Sequence, residues 1–358
     1  MMTCPSRSVD EAGGGIALSG AARQIGNVST IASNPVWLPH RYDPQHDAIH
    51  FRHTLRAAHG AATFLTDEYL GEAKPAIIAR TTALAQAGPQ APLRFILHSA
   101  FCCSTLLARA FDAPGLAMGL KEPVILNDLI GWQLRGGDGR QIANVLDGSL
   151  ALLARPFTLG EAVVIKPSNV CNAMAPLMLQ LRPDARALLL YAPLPVFLGS
   201  VARKGMDGRI WVRDLLLKQL KQGLHSFGFS GEDYLGQTDL QIAAMGWLAQ
   251  HALFARLAAQ FGQQVTTLDS ELLVAHPAAA MTALCRFFDV PLDVQAVVSG
   301  PIFGRHSKFG QAFTTDDRTA ERAAEAAHAD EIAKVAIWAE AVAKAAGVPM
   351  QLPRPLLG

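Results

Sequence analysis

The chain has 358 residues, half of them hydrophobic and 17% charged, with a formal net charge of +1. That length and apolar content allow one large core or two smaller ones, and the lack of a basic excess argues against a nucleic-acid binder that works through phosphate contacts. The longest apolar run, residues 187–201, contains Pro193 and Pro195, so it cannot form a continuous membrane helix of about 20 residues.

The opening MMTCPSRSVDEAGGG has no apolar segment of the kind that marks a secretory signal. Five cysteines, Cys4, Cys102, Cys103, Cys171 and Cys285, lack metal-type spacing, and the adjacent Cys102–Cys103 pair is not a CxxC motif. No metal site is expected, and reduced thiols in a cytoplasm are the default. Residues 1–33, rich in Gly, Ser and Ala, read as a mobile tail. Residues 34–90 read as a helical extension, with FRHTLRAAHGAATFL (51–65) as an amphipathic helix packed like a lid on the main domain, residues 91–358.

From Leu93 onward short apolar runs alternate with helical stretches, which predicts βαβ units and a parallel sheet with helices on both faces. Five strands are expected: LRFILH (93–98), LAMGL (116–120), AVVIK (162–166), ARALLLY (185–191) and VTTLD (265–269). Helices are expected at about 210–224, 238–261 and 318–346, and after Pro277, which suits a first helical turn. Ligands of open parallel sheets collect beyond the carboxyl ends of the strands. Those ends carry residues 100–105, Lys121 and Glu122, residues 166–169, and residues 192–200.

The turn at 101–105 is the most informative of them. Ser104 and Thr105 open a helix directly after a strand, so backbone N–H groups and hydroxyls are available to an anion. The same pair also reads as an ordinary helix cap. The turn has neither the Gly nor the Lys of GxxxxGK[ST], which argues against an ATPase or GTPase.

Taken with later segments, FILHSAFCCSTLLARAF resembles the phosphosulfate-binding loop of sulfotransferases that use 3′-phosphoadenosine 5′-phosphosulfate (PAPS). Bacterial members commonly read PRSGSTLL there, matched by AFCCSTLL. VVIKPSN resembles the strand ending in Lys-Thr-His, with Lys166 at the Lys and Ser168 at the His. LLLYAPLPVFLGSV resembles the element that holds the 3′-phosphate, with Ser200 at its Ser and Ala192 at its Arg. TLDSELLVAHPAAAMTALCRFFDVPLD resembles the family's late strand and helix, and residues 305–308 could serve as its late basic loop. The resemblance runs from about Leu93 to Lys308. Phe101 stands at a basic position and Ala192 at an Arg, so two expected charges are replaced, and Cys103 stands at a glycine.

The resemblance implies a P-loop-like fold of about five strands and transfer of a sulfuryl group from PAPS to a hydroxyl or amine, with no metal. It places Phe101, Cys102, Cys103, Ser104, Thr105 and Ser200 around the nucleotide, with Arg203, Arg305 and Lys308 as substitute cations; Lys204 and Lys121 are further ones. Lys166 would stabilise the sulfuryl oxygens and Glu122 would accept the acceptor's proton, with His98 and then His306 as other candidate bases. Glu122 paired with Lys121 at the surface is the structural alternative. Trp211, Trp247 and Trp338 read as core residues. No signature identifies the acceptor, whether small molecule or carbohydrate. The rival functions are a nucleotide- or phosphate-binding module of the same fold without catalysis, and a small-molecule kinase, for which no loop Lys or Mg²⁺-binding acid is found.

Overall fold

A computed structural model describes residues 28–304 and 315–357. Most of the expected tail lies outside them, as do Arg305, His306 and Lys308. The last part of that tail, Val28–Ser33, is a helix whose Ile31 and Ala32 are buried.

The extension is not mainly helical. It forms an antiparallel sheet of β1 (Trp37–Asp43), β2 (Ala48–His53) and β3 (Ala76–Ala79), in the order β1-β2-β3. Of the expected helix over 51–65, only Arg56–Ala61 is helical, because Phe51, Arg52 and His53 pair with β1. Alternation of buried and exposed side chains could not separate the two outcomes here. The cross-strand partner that satisfies the backbone is non-local. Pro39 sits in edge strand β1 beside a register shift, where its missing N–H costs no ladder bond.

The main sheet has five parallel strands: β4 (Leu93–His98), β5 (Ala117–Lys121), β6 (Ala162–Lys166), β7 (Arg186–Tyr191) and β8 (Val265–Asp269). Their spatial order is β5-β6-β4-β7-β8. All five lie within one residue of their expected bounds, because strands covered on both faces read as unbroken apolar runs. Phe95 and Leu97 pack into the core on one face and Ile96 into the core on the other, as a two-residue period requires. Helices Gly205–Lys221, Asp239–Phe261 and Thr315–Ala346 match expectation, whereas Val124–Leu134 and Gly139–Leu153 were not anticipated. Residues 354–356 bridge to Thr267 and cover the β8 edge. Among the described residues, no helix is long and apolar enough to cross a membrane.

Polar anchors fasten the extension to this sheet. Arg56 donates to Glu161 (2.6 Å) and to the Ala117 carbonyl (2.8 Å). Arg155 donates to the carbonyls of Ala32 and Trp37, both at 2.7 Å. Buried Lys121 donates to the carbonyls of His59 (2.7 Å) and Gly60 (3.0 Å), and burial lowers its pKa to about 8.

Candidate active site

The strand order changes direction around β4: the chain leaves it toward β5 on one side and later returns past it to β7 on the other. That crevice lies at the carboxyl ends of the strands, where such sheets bind ligands. A cavity of about 400 Å³ occupies it, walled by residues 100–105 after β4 and floored by Glu122 after β5 and Lys166 at the end of β6. Ser168 and Asn169 close one side; Lys204, Asp207 and Trp211 close another.

The β4 loop has an unusual backbone. Ala100, Phe101 and Cys103 all have positive φ (74°, 52° and 62°). Side chains other than glycine adopt this region at a cost of about 1–2 kcal/mol each, so the turn keeps the left-handed form expected of a glycine at Cys103 without the glycine. Two hydrogen bonds brace it through His98. The Ala100 N–H donates to Nδ1 (3.1 Å), and Nε2 lies 3.1 Å from the Pro167 carbonyl. An N–H can only donate and a carbonyl only accept, so the ring is neutral with its proton on Nε2. Ser99 continues the brace, its Oγ accepting from the Ala192 N–H at 3.1 Å.

Ala100 also separates this loop from the motif it resembles. A proline there cannot reach φ 74° and has no N–H for His98. Ala100→Pro is therefore expected to cost about 3 kcal/mol or more, and Ala100→Gly to be neutral or stabilising by up to about 1 kcal/mol. Urea denaturation midpoints measure both; equal stability of the proline variant would refute the bracing role of the loop.

Ser104 and Thr105 begin the helix Ser104–Ala110 and border the same cavity as Lys166. Phe101, in place of a cation, packs its ring against Phe197 and Trp211 (centroids 5.6 and 5.3 Å apart), and the Lys204 ammonium lies 5.8 Å from it. Trp211 is thus part of the cavity wall rather than a plain core residue. Burial pushes the Cys102 thiol up to about 12, against the opposing pull of the neighbouring Ser104, so it is not poised for redox chemistry.

Lys166 is 1% exposed, and its ammonium hydrogen-bonds the carboxylate of Glu122, which is 18% exposed. Glu122 adopts φ 52°, and its N–H extends the β5–β6 ladder to the Lys166 carbonyl (2.7 Å). The surface pairing of Glu122 with Lys121 does not occur. Lys121 is buried among the carbonyls of residues 59 and 60 and is no part of the cavity rim.

Ser200 and Arg203 lie on helix Leu194–Arg203 with Arg203 Nη2 donating to Ser200 Oγ (3.1 Å), outside the cavity lining. Ala192 is buried, its carbonyl accepting from Trp247 Nε1 (2.8 Å). Lys204, Asp207 and Asn169 line the cavity together, Asn169 at the strand end where the sequence places a ligand site. The Asn169 amide Nδ2 is buried with no hydrogen-bond partner among the described residues, which leaves a donor for a water or ligand beside the cavity. The charged lining side chains cancel: Lys166 and Lys204 against Glu122 and Asp207.

A larger groove of about 920 Å³ lies at the amino ends of β7 and β8, with Arg186, Arg286 and Arg354 along it. Two of these arginines cap backbone carbonyls, Arg186 that of Phe287 (2.5 Å) and Arg354 that of Val265 (3.2 Å). The groove contains none of the candidate residues and lies at the wrong end of the strands for the chemistry considered.

No family model matches the sequence, and no curated protein matches it. Among solved structures, the chain is similar to the sulfotransferase domain of the curacin biosynthetic pathway, at 15% identity over 62% of this chain and 83% of that one, with a TM-score of 0.39. It is also similar to the sulfotransferase domain of the Synechococcus olefin synthase, at 15% identity over 63% of this chain and 82% of that one (TM-score 0.38). A third is the sulfotransferase STF1 of Mycobacterium tuberculosis, at 14% identity over 60% and 73% of the two chains (TM-score 0.37). These three are sulfotransferases or sulfotransferase domains, at a distance where the likeness carries no argument about activity.

Proposed function

We propose that this protein transfers a sulfuryl group from PAPS to a hydroxyl or amine acceptor. The observation that carries the reading is the Lys166–Glu122 pair, a cation and a base at adjacent strand ends, in one crevice with Ser104 and Thr105. The residues fit the phosphosulfate end of the nucleotide: a left-handed loop, the start of a helix and a buried ammonium suit compact anionic oxygens. Ser200 with Arg203 is what the described residues offer to the 3′-phosphate. The sequence adds Arg305 and Lys308.

Lys166 then neutralises charge on the sulfuryl oxygens and the bridging oxygen. Glu122 takes the acceptor's proton as the acceptor oxygen or nitrogen bonds to sulfur and the sulfur–phosphate bridge breaks. We assign His98 to holding the loop rather than to proton transfer, since both its ring nitrogens are engaged. The four cysteines among the described residues are free thiols, in keeping with the cytoplasmic setting we propose.

A second reading, binding without turnover, is favoured by the balanced charge of the cavity and by the Phe101 ring in place of a cation. Calorimetric titration with 3′-phosphoadenosine 5′-phosphate (PAP) and with adenosine 5′-phosphate tests the donor. PAP should bind at least about tenfold more tightly, because a charge-assisted hydrogen bond contributes roughly 1.5–3 kcal/mol. Arg203→Ala should weaken PAP alone. Equal affinity for the two nucleotides would overturn PAPS as the donor.

A further inference from the structure

We infer that the groove at the amino ends of β7 and β8 is a second binding site, which takes a small soluble organic anion carrying two or more phosphate groups on Arg186, Arg286 and Arg354. The inference does not depend on the sulfuryl-transfer reading, since the groove lies at the other end of the sheet from Lys166. Four observations carry it.

The first is charge. Three guanidiniums line the groove against one carboxylate, Asp184, in a chain whose formal net charge is only +1. Arginines elsewhere bridge to carboxylates, as Arg56 does to Glu161, Arg80 to Asp47 and Arg213 to Asp239. None of the three groove arginines has such a partner among the described residues. Cations gathered without counter-charge repel one another, so an anion lying along them is stabilised by the whole set.

The second is fixed placement. Arg186 opens β7 and uses one N–H on the Phe287 carbonyl. The turn before it is held by Gln264 Nε2, which donates to the carbonyls of Arg182 (3.3 Å), Pro183 (2.6 Å) and Ala185 (3.3 Å). Arg354 stands at φ 61°, an unfavourable conformation for a residue other than glycine. Its carbonyl accepts from the Thr267 N–H and from Thr266 Oγ1, both at 3.0 Å, and these bonds hold it there while Nε reaches the Val265 carbonyl. A guanidinium has five N–H donors, so one carbonyl leaves most of the fork open. Arg286, on the last turn of helix Pro277–Phe288, hydrogen-bonds nothing among the described residues. Two of the three cations are thus placed before a ligand arrives, which lowers the ordering cost of binding.

The third is the field behind the groove. Arg94 is buried and is the cross-strand neighbour of Arg186. Its pKa is lowered first by burial and then by the charge of Arg186, against the opposing pull of Asp289. Like charge on the adjacent strand raises the potential at this end of the sheet, and a bound anion offsets it.

The fourth is size. At about 920 Å³ the groove is near the upper end of small-ligand sites, and a lone phosphate would fill a small part of it. The arginines come from three separate elements, so one anionic group cannot serve them all. Phosphate groups carry nearly two charges each with several acceptor oxygens, and suit the planar fork of arginine bidentately. Phe287 and Leu356 give the carbon frame between them a face to rest on.

The probe is fructose 1,6-bisphosphate, titrated calorimetrically against the full chain at low ionic strength beside fructose 6-phosphate. The bisphosphate is expected to bind at least about tenfold more tightly than the monophosphate, and to be weakened about tenfold or more in Arg286→Ala and in Arg354→Gly, as charge-assisted hydrogen bonds are lost. Both side chains are exposed, and glycine keeps the positive φ of residue 354, so the variants retain the fold. Arg140→Ala, which removes an exposed cation of another part of the surface, should change the affinity less than about twofold. The site is refuted if the parent does not bind the bisphosphate, if the monophosphate binds as tightly, or if both groove variants bind as the parent does. Equal weakening in Arg140→Ala would show attraction to net charge rather than to this groove and would refute it as well.

Discussion

Lys166→Ala is expected to lower turnover by about a hundredfold or more while changing PAP affinity much less. In an in-line transfer, negative charge grows on the bridging oxygen to the departing phosphate and persists on the sulfuryl oxygens. An ammonium that is 1% exposed and capped by the Phe64 ring acts there with little screening, and only an interaction stronger in the transition state than in the ground state raises the rate. The substitution also leaves Glu122 without its partner, so a thermal melt must accompany the kinetics to separate lost chemistry from lost fold. Glu122→Gln keeps the hydrogen bond to Lys166 and removes the basicity, and should slow transfer to a hydroxyl by roughly 10²-fold. An acceptor screen with mass-detected sulfate comes first. Full activity in Glu122→Gln would move the base elsewhere. If nucleotide binds, no acceptor is ever modified and both variants bind as the parent does, the protein is a binding module.

Acidification is expected to destabilise the fold, chiefly through two buried histidines. Burial lowers His59 to about 3, helped by the nearby cations of Lys121, Arg56 and Arg155, and lowers His251 to about 4. Both are neutral in the folded chain at pH values where an unfolded histidine, near 6.5, takes up a proton. The unfolded state therefore binds more protons below pH 6.5, and stability falls from there until the folded values of about 3 and 4 are reached. By pH 4.5 the share from His59 alone is on the order of 2–3 kcal/mol. Neither His59 ring nitrogen has a hydrogen-bond partner among the described residues, and the ring meets Phe157 edge-on at 5.3 Å. His59→Leu should therefore stabilise the protein by about 1–3 kcal/mol at neutral pH, as an orphaned polar group is removed, and should flatten the acid limb. Urea midpoints from pH 4.5 to 7.5 decide this; a variant less stable than the parent, with the same pH slope, would show that His59 has a partner or water that keeps it in place.

The sequence alone determined the parallel sheet and the location of the cavity. Strands sandwiched between helices must be apolar on both faces, so β4, β6 and β8 stand out as runs that end in His98, Lys166 and Asp269, and the turn with Ser104 and Thr105 follows from the first of them. What only the tertiary structure decided lies between elements distant in the chain. That Lys166 faces Glu122 rather than Lys121 facing it depends on the β5–β6 register and on a positive φ at Glu122, neither of which leaves a local pattern. The strands of the extension escaped because β2 finds its hydrogen-bond partners in β1, and FRHTLRAAHG satisfies helical spacing equally well until that pairing is known. Phe64 comes to lie 5.1 Å from the Lys166 ammonium through the bond of Leu65 to Lys121, between segments remote in the chain. Local composition records which side chains are apolar, while packing between remote segments determines which of them meet.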